Sequence, residues 1–209
     1  MGMVTTLEGT RQGRVKVFID GFFSFVINKQ DAVRHGLKVG QALSSDEIAE
    51  LKHSAELQDC IDAALRFLRY RPRSEVEVRV RLRRRGFVSD IADEAVVELK
   101  RRKLVDDEVF AQFWTEDRLS FNPKSRQMIK LELRQKGVAS HIAEGATADL
   151  DDEANAYEVV AKRAQRMRSL DYEEFCRRLS GYLGRRGFSY EVIGKVVKRL
   201  WQESHSHSS

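Results

Sequence analysis

Apolar positions alternate along the first thirty residues. From about residue 45 onward they recur every three or four, so the pattern predicts a short β segment followed by helices. Val15, Val17 and Ile19 alternate with Arg14, Lys16 and Phe18, and Phe23, Phe25 and Ile27 follow. A period of two marks strands with one buried face. Asp20-Gly21, between the two runs, is a two-residue hairpin signal, because glycine accepts the positive φ that such a turn requires. Two strands alone are marginally stable, so a third strand from Val4–Glu8, or a helix packed on the pair, is expected. A short helix near Lys29–His35 should end at Gly36. Ser44 with Glu47 is a capping-box pattern that opens a helix running to about Glu56. Helical periodicity then continues to Gln202, with breaks at Pro72, Gly86, Pro123, Gly137, Asp171 and Gly187.

Self-similarity organises this helical part. Arg85-Gly86-Phe87, Lys136-Gly137-Val138 and Arg186-Gly187-Phe188 share one design, with the glycines 51 and 50 residues apart. Leucine stands four residues before each glycine (Leu82, Leu133, Leu183) and an aliphatic residue eight before (Val78, Ile129, Leu179). Leucine recurs thirteen after (Leu99, Leu150, Leu200). Offsets of four and eight share one helical face, which must be buried. Glycine then ends the helix in a left-handed conformation that a Cβ opposes. Ser89, Ser140 and Ser189 are placed to cap the helix that follows. The stripes Ile91, Ala95, Leu99 and Val192, Val196, Leu200 mark third helices. Preceding helices at Ile61–Tyr70, Val109–Leu119 and Ala154–Met167 complete each set.

The expected fold is therefore mainly α: three tandem three-helix, helix-turn-helix-like repeats in an elongated array, preceded by a small N-terminal β-hairpin region. The divisions are a leader at 1–57, repeats at 58–105, 106–150 and 151–202, and a disordered tail at 203–209. Units of 45–50 residues lie near the lower limit for a self-sufficient core, so neighbouring repeats should support one another.

Charge sharpens this picture. The net charge is +5, yet residues 1–58 are balanced, and the excess sits in residues 59–105, with 13 basic and 8 acidic groups. Arg79, Arg81, Arg83, Arg84 and Arg85 fall within seven residues that contain no acid. Planar guanidinium groups suit phosphate, and with Arg66, Arg69, Arg71 and Arg73 upstream they could hold a DNA backbone. A solvated helix face paired to Glu75, Glu77 and nearby acids explains the run equally well. Lys100, Arg101, Arg102 and Lys103 form a second cluster, which also suits a helix C-terminus electrostatically. Lys136 belongs with these candidates. Arg185, Arg186, Lys195, Lys198 and Arg199 form a third patch.

Asp106-Asp107-Glu108 and Asp151-Asp152-Glu153 recur at helix starts, where they can cap the helix or meet basic faces of a protein partner. Phe110, Phe113, Trp114 and Trp201 read as core. His35, His53 and His141 are isolated, and His205 and His207 in the tail could bind metal only weakly. Cys60 and Cys176 lack partners at metal spacing and read as reduced thiols of a cytoplasmic protein. No signal peptide and no stretch of ~20 apolar residues able to span a membrane is expected. Phosphate-loop, dinucleotide, His-Glu-x-x-His and nucleophile-elbow motifs are missing, so neither a catalytic site, a metal site nor a cofactor is expected.

Several of these residues together resemble the RecX family of recombination regulators. They are Arg71-Pro72-Arg73-Ser74-Glu75, Leu82 and Arg85-Gly86-Phe87; then Leu104, Asp106-Asp107, Phe110-Ala111, Trp114 and Arg118; then Glu132-Leu133 and Lys136-Gly137-Val138; and finally Tyr182-Leu183 with Arg185-Arg186-Gly187-Phe188. The likeness covers about residues 55–201. It departs at Asn122-Pro123-Lys124, where the family often has a glycine-containing turn. The resemblance implies three tandem three-helix repeats, and a monomer that binds RecA protein filaments and single- and double-stranded DNA. It further implies suppression of strand exchange, ATP hydrolysis and LexA coprotease activity, a role in DNA repair and the SOS response. The alternative is an independent helix-turn-helix-like DNA-binding regulator.

Overall fold

The computed structural model of the chain describes residues 1–11 and 13–205. These residues divide into two compact units. The first comprises Met1–Tyr70 with Val78–Leu104, and the second Arg71–Glu77 with the chain from Val105 onward.

The first unit opens with strands β1 (Gly2–Gly9), β2 (Arg14–Ile19) and β3 (Phe22–Asn28), then helix α1 (Lys29–Arg34) and strand β4 (Ala42–Leu43). They form an antiparallel sheet of order β3-β2-β1-β4. The hairpin turns at Asp20 and Gly21, both at positive φ (51° and 85°) as its geometry demands. β1 supplies the third strand that the pattern asked for. β4 was not foreseen, since two residues carry no periodicity. Phe25 and Ile27 are buried but Phe23 is exposed. Val17 pairs with Phe25 and Phe18 with Phe23, so Ser24 is an extra residue in the ladder. That bulge turns Phe23 off the core face, where it meets Phe18 edge-on.

Helix α2 (Ser45–Leu68) opens with the expected capping box between Ser44 and Glu47. It is one helix of 24 residues, not a leader helix to Glu56 followed by another from Ile61. Neither proline nor glycine interrupts residues 45–68, so no signal stops it. Leu51 and Ala55 complete the sheet core, and the expected division at 57–58 falls inside this helix. α3 (Glu75–Arg84) and α4 (Ser89–Arg101) follow.

The second unit contains α5 (Asp107–Phe121), α6 (Arg126–Gln135) and α7 (Ser140–Gly145), then α8 (Asp152–Gln165), α9 (Tyr172–Gly184) and α10 (Tyr190–His205). One core gathers Phe110, Ala111, Trp114, Ile129, Leu133, Val138 and Ala143. Another gathers Val160, Phe175, Leu179, Leu183, Phe188, Val196 and Leu200. The leucines four before each glycine are fully buried, and each contributes about 1.5–3 kcal/mol by leaving water. Phe113 and Trp201 are half-buried; the Trp201 ring lies 5.2 Å from that of Phe175. α10 runs through Glu203–His205, past the expected start of a disordered tail. Tyr157 and Arg199 both bond the Glu203 carboxylate and extend the helix. The rest of that tail, including His207, lies outside the described residues.

The periodic glycines close their helices as expected. Gly86, Gly137 and Gly187 have φ of 94°, 84° and 82°. In each turn the glycine amide bonds the carbonyl three residues back, and the next apolar residue bonds the leucine carbonyl five back. This is a Schellman closure repeated three times. The expected serine caps are corrected in part. Ser189 accepts from the Val192 amide, whereas Val88 and Ala139 occupy the cap positions of α4 and α7 without side-chain bonds. Ser89 and Ser140 lie one residue inside, where the hydroxyl is past the amides it would cap.

Candidate nucleic-acid interface

The candidate cations fall in both units. Arg79, Arg81, Arg83, Arg84, Arg85, Lys100, Arg101 and Arg102 belong to the first; Arg71, Arg73, Lys136, Arg185 and Arg186 belong to the second.

On α3, Val78 and Leu82 are buried and the arginines take much of the remaining surface. Arg79 donates to Asp93 of α4 at 2.8 Å, and Arg83 approaches the same carboxylate at 3.4 Å. Arg81 lies over the Phe67 ring at 5.5 Å. Arg84 and Arg85 are exposed, with no carboxylate partner among the described residues. The run is thus part solvated ion-pair face and part uncompensated charge: one aspartate serves two arginines and three are left over.

At the end of α4, Arg101 and Arg102 share Glu98 at 2.7 and 2.6 Å. Their hydrogen bonds pull the Glu98 carboxyl down to about 2. Lys100 is exposed beside them. Arg71 and Lys136 converge on Glu77, at 3.1 and 2.9 Å. Burial pushes the Glu77 carboxyl up, but these bonds outweigh it and hold it below the ordinary carboxylate range. Both cations are about three-quarters buried, so their charge supports local structure before it can reach a ligand. Arg73 is half-buried. Arg185 is exposed, and the Arg186 guanidinium lies over the Tyr182 ring at 3.8 Å.

Trp114, read from sequence as core, is 9% exposed and also carries polar contacts. Arg118 and Lys136 lie over its ring at 3.9 and 4.1 Å, and its indole N–H donates to Glu132 at 2.9 Å. Arg118 and Lys124 also bond Glu132. Burial raises the Glu132 carboxyl, and the bonds from Lys124, Arg118 and Trp114 more than reverse that. Arg118 one turn after Trp114 was the available signal, but Glu132 and Lys124 come together only through the fold.

The two acidic runs divide their work. Asp106 and Asp151 cap their own helices, accepting from Glu108 and Val109 and from Glu153 and Ala154. The second aspartate of each run caps a different helix. Asp107 accepts from the Glu75 amide at 2.8 Å, and Asp152 from the Arg126 amide at 2.7 Å. Among the described residues no group of three or more His, Cys, Asp or Glu could hold a metal ion. No helix there is long and apolar enough to cross a membrane. The buried Cys60 thiol is pushed up to about 11, by burial and then by Glu56.

Comparison with known proteins places this geometry. Family models described as the first, second and third three-helix domains of RecX match residues 60–99, 106–146 and 151–197. A "Regulatory protein RecX" of Clostridium perfringens (strain SM101 / Type A) is 27% identical over 96% of this chain and 97% of its own length. One from Geobacillus kaustophilus is 29% identical over 94% of this chain and 77% of its own. A crystal structure of RecX from Lactobacillus salivarius superposes with a TM-score of 0.62 at 26% identity, over 70% of this chain and 97% of that one. A second crystal structure of regulatory protein RecX covers 95% of this chain and all of its own, with a TM-score of 0.73 at 20% identity, which speaks for the fold alone. With the three domains matched in order along the chain, it belongs to the RecX family.

Proposed function

We propose that this chain is a cytoplasmic, monomeric regulator of the RecA recombinase. It binds RecA–DNA filaments and thereby inhibits strand exchange, ATP hydrolysis and LexA coprotease activity, as part of DNA repair and the SOS response. The observation that carries this reading is the near end-to-end match to proteins named as regulatory protein RecX. The uncompensated Arg81, Arg84 and Arg85 support it with a means of holding DNA phosphate, since guanidinium pairs with phosphate oxygens in a fork of charge-assisted bonds. The protein acts by occupancy: it needs no catalytic group, metal or cofactor, only enough contacts to block or distort the filament.

Co-sedimentation with RecA–single-stranded DNA filaments tests the proposal. The expected result is enrichment with filaments over naked DNA at the same salt. Equal recovery on both would instead favour an independent DNA-binding regulator.

A further inference from the structure

The second and third repeats present the same three positions with a different charge balance. Arg118 stands twelve residues after the cap Asp106, and Arg163 twelve after the cap Asp151. Lys136 and Arg186 each precede the turn glycine, and Glu132 and Tyr182 each stand five before it. In the second repeat these cations are neutralised, since Arg118 bonds Glu132 and Lys136 bonds Glu77. In the third, an uncharged ring replaces the carboxylate. Arg163 and Arg186 lie over Tyr182 at 4.3 and 3.8 Å from its centroid. Neither has a carboxylate partner among the described residues, and the Arg186 Nε is buried without a hydrogen-bond partner. Arg185, exposed beside them, is equally uncompensated.

Two like charges held on one ring repel each other. An anion between or beside them relieves the repulsion and fills their unused donors. We infer that Arg163, Tyr182 and Arg186 form a phosphate-binding site in the third repeat that takes the backbone of a nucleic acid. Tyr182 positions the two arginines, and the arginines contact the phosphate. A polyanion fits better than a lone ion because Arg185, exposed next to Arg186 in the chain, offers a further cation to a neighbouring phosphate. The inference deepens the proposed binding of nucleoprotein filaments and rests on it for the identity of the polyanion.

Fluorescence anisotropy of labelled oligothymidine, titrated with the full chain across a salt series and without RecA, tests the site. Tyr182→Glu copies the residue of the second repeat and should offset one charge of the pair without removing either arginine. It and Arg163→Gln should each weaken binding roughly five- to tenfold, the effect of losing one charge-assisted contact. Each should also lower the slope of log affinity against log salt by about 0.7. Tyr182→Phe keeps the ring and should bind as the parent does. Circular dichroism separates loss of fold from loss of binding, and Arg163→Gln gives a reading independent of Tyr182. Parental affinity and slope in both Tyr182→Glu and Arg163→Gln, or no binding by the parent chain, would overturn the inference. Loss of binding in these variants, in a chain that does not act on RecA, would refute the RecA reading and leave the site standing.

Discussion

The Ser74 hydroxyl donates to the Lys136 carbonyl oxygen at 2.7 Å while accepting from the Glu77 amide at 3.1 Å. One fully buried side chain therefore caps the start of α3 and satisfies a carbonyl at the end of α6. Ser125 holds the same place one repeat later. Its hydroxyl accepts from the Met128 amide at 3.2 Å, and its backbone amide donates to the Arg186 carbonyl at 3.0 Å. Each serine thus sits against the glycine turn of a later helix. Ser74→Ala leaves that amide and that carbonyl without their partner together. It should cost about 1–2 kcal/mol, read as a lower urea midpoint; an unchanged midpoint would show that water replaces the hydroxyl freely.

The three turn glycines differ in what surrounds them. A Cβ on Gly86 meets nothing within 4 Å, whereas one on Gly137 would lie 2.2 Å from a Val76 methyl carbon. Gly86→Ala should therefore cost only the left-handed strain of about 1–2 kcal/mol. Gly137→Ala should cost clearly more, and Val76→Ala in the same chain should recover part of the difference. Equal losses at the two glycines, measured by urea unfolding, would contradict the close approach.

Acid should weaken the second unit in a defined direction. Glu77 and Glu132 bind protons less readily folded than their ordinary values imply, so the unfolded chain takes up more protons as pH falls. Their contribution is complete above the ordinary carboxylate value of about 4.3 and is lost as pH drops through the lower folded values. Urea midpoints should fall on acidification through that range, and fall less steeply in a Glu77→Gln, Glu132→Gln variant. A midpoint that rises there would contradict the ion-pair geometry.

Much of the helical architecture was legible because its signals are local. Leu82, Leu133 and Leu183 with their glycines report a buried stripe and a left-handed stop within ten residues of chain. What escaped depended on distant partners. The run Arg79–Arg85 reads equally as free or paired charge until α4 brings Asp93 against Arg79 and Arg83. Lys136 looked like a surface cation, but Glu77 reaches it from 59 residues away. Arg163 drew no notice, because only its position over Tyr182 distinguishes it from other helix cations. The continuous α2 differs from the expected division at Glu56 because no proline or glycine stands there to stop a helix.

The arginines that escape pairing should separate binding from stability. Arg84→Glu with Arg85→Glu should weaken nucleic-acid or filament binding at least roughly tenfold, the scale of two lost phosphate contacts, with little change in unfolding. Arg79→Glu should instead destabilise the first unit, by setting a second carboxylate against Asp93. Unfolding of the Arg84, Arg85 variant, followed by circular dichroism, would assign those residues to structure.

RecA-driven strand exchange in the presence of substoichiometric amounts of this protein is the most direct measurement of its function. Inhibition that grows with protein concentration, and that the Arg84→Glu, Arg85→Glu variant largely loses, is the expected result. Unchanged exchange rates at concentrations where the protein is folded and bound to the filament would contradict its reading as a RecA regulator.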